Sequence, residues 1–199
     1  MSVTFIIGGA RSGKSTFAEQ KAKEYAENVL YLATSVVTDQ AMADRVKKHQ
    51  SQRSKSWSTL EMYSNFESLQ IQEPFKECTA VLIDCITTLI GNFMVDSKIN
   101  FDNCNPEEVN KLEKRIVSEV LCLIDVCNRN NKKLIIVSNE TGMGVVPSYY
   151  TGNYFRDMSG RINREIASKS DFMYFVFSGI SSTSKVSSAA CAKVKTFCS

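Results

Sequence analysis

The sequence predicts an α/β fold in which helices cover both faces of a mostly parallel sheet. Short apolar runs that are typical of buried strands alternate along the 199 residues with longer stretches rich in helix formers. This alternation indicates parallel strands, because each crossover between them needs a helix or another long connection. The chain is long enough to form one domain with a substantial core.

The first element is a strand over residues 3–7, followed by a glycine-rich loop. This loop fits the pattern G-x-x-x-x-G-K-[ST] and precedes a helix predicted over 16–27, which is the context of a phosphate-binding P-loop. The residues expected to bind a nucleotide here are Gly8, Gly9, Ala10, Arg11, Ser12, Gly13, Lys14 and Ser15. Backbone N–H groups and the helix dipole favour phosphate, Lys14 can reach the β- and γ-phosphates, and Ser15 can offer a hydroxyl to Mg²⁺. The sequence therefore predicts binding of a nucleoside triphosphate.

Further apolar runs predict the other strands, at residues 29–33, 57–63, 80–84, 133–138 and 171–177. Thr34 and Ser35 follow the second strand directly, at the edge where ligands bind in open α/β sheets. Asp84 closes the run over 80–84 and matches the Walker B pattern. Strands that end in Asp are common, but together with the P-loop this one predicts that Asp84 and Ser15 hold Mg²⁺.

Further helices are predicted over residues 39–53, 64–70, 86–95 and 154–169, and from residue 105 onward. The helix after residue 105 has the strongest start signals, with Asn105 as its cap and Pro106 at its first position. Its expected core side chains recur at helical spacing, and they are Val109, Leu112, Ile116, Val120, Leu123 and Cys127.

Charge and hydropathy argue against polyanionic and membrane partners. The formal net charge is +3, and residues 181–199 contain three lysines and no acidic residue, so the first 180 residues are balanced. We therefore expect no nucleic-acid partner. No apolar run approaches 18 residues and no basic leader precedes the first strand, so we expect no membrane insertion.

Cysteine usage and local composition indicate the compartment and the domain limits. The seven cysteines show no C-x-x-C spacing and there is one histidine, which excludes a Cys/His zinc site of the usual spacing. Reduced, packed cysteines are typical of a cytoplasmic protein, which is the predicted location. We expect a single domain over residues 1–180, followed by a Ser-, Ala- and Lys-rich tail over 181–199 that is disordered or loosely attached.

His49 is the only histidine, so any imidazole chemistry depends on it. A single histidine on a helix stripe usually has a structural role. Here basic residues surround it, and they are Arg45, Lys47, Lys48, Arg53 and Lys55. Such a cluster can hold a triphosphate beside a neutral imidazole, which is a nucleophile able to form a phosphoramidate. The residues alone leave both interpretations open.

Several blocks of sequence carry a resemblance to one enzyme family. They are Gly8-Gly9-Ala10-Arg11-Ser12-Gly13-Lys14-Ser15, Tyr31-Leu32-Ala33-Thr34-Ser35, Arg45-Val46-Lys47-Lys48-His49 with Arg53, Trp57 and Glu61, Asp84-Cys85-Ile86-Thr87-Thr88-Leu89 with Asn92, residues 139–147, and Phe155-Arg156-Asp157 with Gly160, Arg161 and Asn163. In these blocks, from residue 3 to about residue 180, the sequence resembles the bifunctional adenosylcobinamide kinase/adenosylcobinamide-phosphate guanylyltransferases.

The resemblance implies two reactions in cobalamin biosynthesis and salvage. The first is phosphorylation of adenosylcobinamide by ATP or GTP. In the second, GMP from GTP is carried on a histidine, which falls on His49, and is transferred to adenosylcobinamide phosphate, giving adenosylcobinamide-GDP and pyrophosphate. The resemblance also implies a RecA-like core, a homotrimer and a corrinoid substrate.

The nucleotide contacts implied by the resemblance extend beyond the P-loop. They fall on Thr34, Ser35, Val36, Gln50, Ser51, Gln52, Arg53, Glu61 and Asp84. Glu61 has the acceptor geometry to bind guanine N–H groups or a ribose, and the sequence does not choose between them. The sequence after Ile180 does not look like the short final strand of the family.

Three other functions are alternatives for a P-loop protein. A P-loop kinase of another small substrate would leave His49 structural and form no covalent adduct. A GTPase switch is disfavoured because no N-K-x-D motif occurs in the chain. A RecA-like DNA-dependent ATPase is disfavoured because the first 180 residues carry no net charge.

Overall fold

The computed structural model describes residues 2–35 and 56–185, and in these two ranges seven strands form one sheet. The strands are β1 (Val3–Gly8), β2 (Val29–Ala33), β3 (Ser58–Glu61), β4 (Ala80–Asp84), β5 (Lys133–Asn139), β6 (Phe172–Phe177) and β7 (Ile180–Lys185). Their order across the sheet is β3-β2-β4-β5-β1-β6-β7, and only the β6–β7 pair is antiparallel. The predicted fold class, a RecA-like P-loop core with a mostly parallel sheet, is confirmed.

Helices of the described residues cover both faces of the sheet. They are α1 (Lys14–Tyr25), α2 (Glu73–Glu77), α3 (Ile86–Ser97), α4 (Pro106–Arg129) and α5 (Tyr150–Lys169), with a 3-10 helix over Phe66–Ile71. On one face Ala18 and Ala22 of α1 pack with Ile6 of β1. On the other face, Phe5 and Ile7 of the same strand share a larger core with α3, α4 and α5. Successive residues of a central strand are therefore buried on opposite faces.

The start of α4 confirms the capping signals read from the sequence. The Asn105 side chain accepts from the Glu107 N–H at 2.9 Å, and the Glu108 carboxylate accepts from the Asn105 N–H at 3.2 Å. This reciprocal pair satisfies two N–H groups that have no partner inside the helix. The six side chains predicted for the core stripe of α4 are all buried.

Several predicted helices have other bounds in the structure or fall outside it: the helix predicted over 16–27 is α1 (Lys14–Tyr25), and the one predicted over 86–95 is α3 (Ile86–Ser97). The helix predicted over 39–53 lies outside the described residues. α5 begins at Tyr150 rather than at residue 154, and the segment predicted as a short helix over 64–70 is a 3-10 helix that continues into α2. Pro74 near the start of α2 suits the first turn of a new helix, since its missing N–H needs no partner there.

The prediction that the chain beyond Ile180 lacks regular structure is wrong for residues 181–185. These residues form β7, which pairs with the whole length of β6 from Phe177–Ile180 to Phe172–Lys185. Its Ser and Thr residues show no apolar alternation because the strand lies at the exposed edge of the sheet. Residues 186–199 lie outside the described residues, so their predicted disorder remains a prediction, as does the domain boundary.

Candidate nucleotide-binding site

The predicted site residues converge at the carboxyl edge of the sheet. β1 ends at Gly8, which pairs with Asn139 at the end of β5, and the Glu140 N–H donates to the Gly8 carbonyl at 3.0 Å. Ala33 at the end of β2 pairs on one side with Asp84 of β4 and on the other with Glu61 of β3. The register of five parallel strands thus brings together residues that are far apart in sequence.

The P-loop has a defined conformation between β1 and α1. The Ser12 N–H donates to the Gly9 carbonyl at 3.3 Å, and Gly13 caps α1 with a left-handed φ of 89°. The Lys14 side chain crosses the loop and its Nζ donates to the Gly9 carbonyl at 3.2 Å, which leaves Lys14 only 8% exposed. These contacts place the lysine charge beside the N–H groups that the motif requires for phosphate.

Asp84 lies two strands from the P-loop, because β5 separates β4 from β1. Asp84 pairs with Val137 of β5, which pairs with Ile6 of β1, so two strand spacings, about 10 Å, separate the backbones of Asp84 and Ile6, and Gly8 lies two residues further along β1. The Asp84 carboxylate is half-buried, and its Oδ2 accepts from the Tyr31 hydroxyl at 3.1 Å. The intervening space is wide enough for phosphate groups between the loop and the carboxylate.

Thr34 connects the ends of β2 and β4 and is only 1% exposed. Its hydroxyl donates to the Cys85 carbonyl at 2.8 Å and accepts from the Cys85 N–H at 2.9 Å. Its carbonyl accepts from Asn92 Nδ2 at 2.7 Å, and its N–H donates to the Asp84 carbonyl at 3.4 Å. Thr34 therefore supports the backbone that carries Asp84, and its direct contact with a nucleotide remains a prediction. Ser35 beside it is half-buried.

A polar cluster lies between the ends of β4 and β5, and its residues apart from Ser138 belong to the blocks that carry the family resemblance. Asn139 Nδ2 donates to Thr87 Oγ1 at 2.6 Å, and that oxygen lies 3.2 Å from the Cys85 thiol. From α5, Asn163 Nδ2 donates to the Asn139 carbonyl at 3.1 Å, and Asn163 Oδ1 accepts from the buried Ser138 hydroxyl at 2.6 Å. The feature of the sequence that indicates this cluster is the polar residues that follow the apolar strands β4 and β5.

Glu61 lies at the same edge but far from the P-loop. It is exposed at the end of β3, and three strands separate β3 from β1. Four strand spacings amount to about 19 Å. Glu61 and Lys14 therefore face opposite ends of the site.

Six of the predicted site residues lie outside the described residues: Val36, His49, Gln50, Ser51, Gln52 and Arg53. Among the residues that are described, no group of three or more His, Cys, Asp and Glu side chains could hold a metal ion. In the same ranges, no helix combines the length and the apolar character needed to cross a membrane.

Gly8 should be required for the shape of the P-loop. In Gly8→Ala the added Cβ would lie 2.3 Å from the Val176 carbonyl oxygen and 2.7 Å from Ser12 Oγ. We expect the free energy of unfolding to fall by about 1–3 kcal/mol, as for other overpacked sites, in urea denaturation followed by circular dichroism. Gly9→Ala is the matched control, because a Cβ there meets no atom within 4 Å. Equal stability of the two variants would contradict this packing.

The Thr34 hydroxyl should be structural. Thr34→Val leaves the Cys85 N–H and carbonyl without their partner, and we expect a loss of about 1–3 kcal/mol in the free energy of unfolding. Thr34→Ser keeps the hydroxyl and should lose less. Thermal unfolding of both variants measures the difference. If the Val variant were the more stable of the two, the assigned role would be wrong.

Comparison with known proteins identifies the family. The family model described as cobinamide kinase / cobinamide phosphate guanyltransferase matches residues 4–183. The chain is 36% identical over 177 residues to the bifunctional adenosylcobalamin biosynthesis protein CobU of Escherichia coli (strain K12), covering 88% of this chain and 95% of that protein. It is 37% identical, with the same coverage, to the protein of that name from Salmonella typhimurium (strain LT2).

Among solved structures, a KaiC-like protein from Pyrococcus horikoshii OT3 aligns with 87% of this chain and 71% of its own, at a TM-score of 0.47 and 14% identity. The family match rests on sequence, since the model covers most of the chain and both relatives exceed 30% identity over nearly their full length. The chain belongs to the cobinamide kinase / cobinamide phosphate guanyltransferase family.

Proposed function

We propose that this chain phosphorylates adenosylcobinamide with ATP or GTP and then transfers GMP from GTP to adenosylcobinamide phosphate through His49. The products are adenosylcobinamide-GDP and pyrophosphate, in cobalamin biosynthesis. The description of the family model names both activities, and the relatives are named bifunctional adenosylcobalamin biosynthesis proteins, which supports both reactions. The structural observation that carries the proposal is the placement of the P-loop and Asp84 at one edge of the sheet, on two strands that a single strand separates.

The kinase step uses the P-loop. The substrate hydroxyl attacks the γ-phosphorus and releases its proton to water, a new P–O bond forms, and the bond to the bridging oxygen breaks, so that a nucleoside diphosphate leaves. Charge on the transferred phosphoryl group is stabilised by loop N–H groups and by Lys14, whose Nζ already lies within the loop, 3.2 Å from the Gly9 carbonyl. Because these groups are preorganised, little reorganisation is needed during transfer.

The residues at the site fit Mg²⁺. Ser15 and Asp84 would supply a hydroxyl and a carboxylate, which are the oxygen donors that this ion prefers. Asp84 is half-buried, and its Oδ2 is oriented by the Tyr31 hydroxyl. Two protein ligands are sufficient for Mg²⁺ bound to a nucleotide, because phosphate oxygens and waters complete its coordination shell. When bound, the ion neutralises charge on the transferred phosphate.

The transferase step would use His49. Its imidazole nitrogen attacks the α-phosphorus of GTP, an N–P bond forms, and pyrophosphate leaves with the electrons of the broken P–O bond. A phosphate oxygen of adenosylcobinamide phosphate then attacks the same phosphorus, and the N–P bond breaks. Two steps of this kind replace one difficult transfer. Ser35, the last described residue before His49, lies at the carboxyl edge of the sheet.

The distance of Glu61 from the P-loop bears on its role. A carboxylate about 19 Å from the phosphate-binding strand is placed for a base or ribose rather than for the phosphates held by Lys14. We propose that the end of the site at β2 and β3 binds the nucleoside part of GTP. Thr34 and Ser35 follow β2 directly and so lie at this same end.

The corrinoid surface is proposed to be the loop between β5 and α5. This loop exposes a set of large apolar side chains: Met143, Val145, Val146, Tyr149 and Tyr150. It begins beside the P-loop, where the Gly142 N–H donates to the Glu140 carboxylate at 2.6 Å. Arg156 of α5 holds its other side by donating to the Gly142 carbonyl at 3.4 Å. An exposed apolar patch beside a phosphate site suits a bulky macrocycle that must present one hydroxyl.

We propose a homotrimer, which the family resemblance implies, and a cytoplasmic location. In the described part of the chain all five cysteines are free, which suits a reducing compartment.

Labelling with GTP tests the histidine intermediate. The wild type incubated with GTP labelled at the α-phosphate should retain a protein-bound label that is acid-labile and stable to base, as expected for a phosphoramidate. His49→Ala should retain none, since it has no imidazole. GTP labelled at the γ-phosphate is the control, because that label leaves with pyrophosphate. An unlabelled wild type that still binds GTP would favour a P-loop kinase in which His49 is structural.

Substitutions in the apolar loop test the corrinoid surface. In the double variant Met143→Ser, Val145→Ser we expect the KM for adenosylcobinamide to rise about tenfold, because burial of such side chains contributes on the order of 1–2 kcal/mol. The KM for ATP should stay unchanged in steady-state kinase assays. Ile71→Ser is the matched control, since Ile71 is 73% exposed but lies in the connection to the amino end of β4. An unchanged corrinoid KM in the double variant would exclude the loop.

A further inference from the structure

The hairpin formed by β6 and β7 lies directly against the P-loop. A two-residue turn joins its strands, with φ angles of 50° at Ser178 and 82° at Gly179. Phe177 and Ile180 pair on either side of it. Two left-handed residues in succession match the twist of a hairpin and favour glycine, which stands at the second position. The Gly179 N–H donates to the Ser12 carbonyl at 2.9 Å.

Two close approaches join the same hairpin to both ends of the loop. At Gly8 a Cβ would lie 2.3 Å from the Val176 carbonyl oxygen, so the backbone of β6 touches the first glycine of the motif. At Gly13 a Cβ would lie 3.6 Å from Gly179 Cα. The P-loop is therefore supported by an element that is distant in sequence and that takes no part in the motif.

The hydrogen bond from Gly179 fixes one peptide plane of the loop. The peptide between Ser12 and Gly13 is trans, so its carbonyl and its N–H point in opposite directions. Because the Ser12 carbonyl points towards the hairpin, the Gly13 N–H points away from it. A P-loop binds phosphate only when its successive N–H groups point at the same anion. Holding this plane before binding removes an ordering cost that would otherwise weaken affinity.

We propose that the β6–β7 turn is a positioning element of the P-loop and that Gly179 is its positioning residue for triphosphate binding. The turn touches the loop and acts on the nucleotide only through it. The inference rests on the proposed function in one respect, which is that the P-loop binds a nucleoside triphosphate. It assigns a role to the final strand, which the sequence left without one.

Substitutions at Gly179 isolate the backbone angle. A Cβ at this position meets no atom within 4 Å, so a side chain there introduces no clash. Gly179→Val disfavours a left-handed φ strongly, whereas Gly179→Asn tolerates it. We expect the Kd of a non-hydrolysable ATP analogue with Mg²⁺, measured by titration calorimetry, to rise about tenfold in the Val variant, which is the factor that left-handed strain implies. The Asn variant should stay close to the wild type. GTP analogues should respond in the same way, because the turn acts on the phosphate loop.

Asn131→Val is the control for general destabilisation. Asn131 also has a left-handed φ, 52°, but lies between α4 and the amino end of β5. The Asn131→Val substitution should lower the midpoint of thermal unfolding about as much as Gly179→Val does, and it should leave the Kd of the analogue unchanged. A comparable rise of the Kd in this variant would overturn the inference, because any strained turn would then act alike.

Two further outcomes separate the inference from the proposed function. If the wild type and a folded Gly179→Val variant bind the analogue equally, the positioning role is wrong and the proposed function stands. If the wild type binds no analogue, the proposed function fails and the inference fails with it. Should Gly179→Val not fold, Gly179→Ala replaces it, and its Kd must then exceed that of Gly179→Asn.

Discussion

Parallel pairing of β1, β5 and β4 is the constraint on which the site depends. The P-loop, the polar cluster around Asn139 and the Asp84 carboxylate each lie at the end of one of these strands. Their separation is therefore set by strand spacing and register rather than by loop conformation. The two faces of the sheet pack against different elements, with Ile6 in the cluster that includes α1 and Phe5 in the larger core shared with α3, α4 and α5. A shift of one residue would exchange these faces, so packing fixes the register and with it the site.

Buried polar residues hold the strand ends in place. Thr34, Ser138 and Asn163 lie in positions where an unpaired hydrogen-bonding group would be costly, and each has partners in neighbouring elements. Their bonds reach from β2 to β4 and from β5 to α5. The result is a rigid edge on which exposed groups such as Glu61 can be displayed. Rigidity of this kind is what preorganised binding of phosphate requires.

The sequence was most informative where a local pattern is sufficient to define an element. The strands over 29–33 and 80–84 were predicted with their observed limits, because continuous apolar runs are bounded by polar residues. The P-loop was likewise recognisable from its own residues. β7 was not, because its Ser and Thr residues form a strand only through pairing with β6, and no local pattern encodes that contact. Neither could the position of Glu61 be predicted, since strand order is a property of the whole sheet. The structural role of Thr34 could not be predicted either, because it depends on the direction in which the hydroxyl points.

The polar final strand has a consequence for aggregation. β6 is the six-residue run FMYFVF, which has aromatic and β-branched residues, no charge and no proline. A strand of that composition at a free edge would be a template for pairing with another copy, and it has the character of segments that form cross-β zippers. β7 pairs with it over its full length and presents exposed Ser and Thr residues at the new edge. The hairpin whose turn supports the P-loop thus ends in a strand that protects the apolar segment β6 from pairing with other chains.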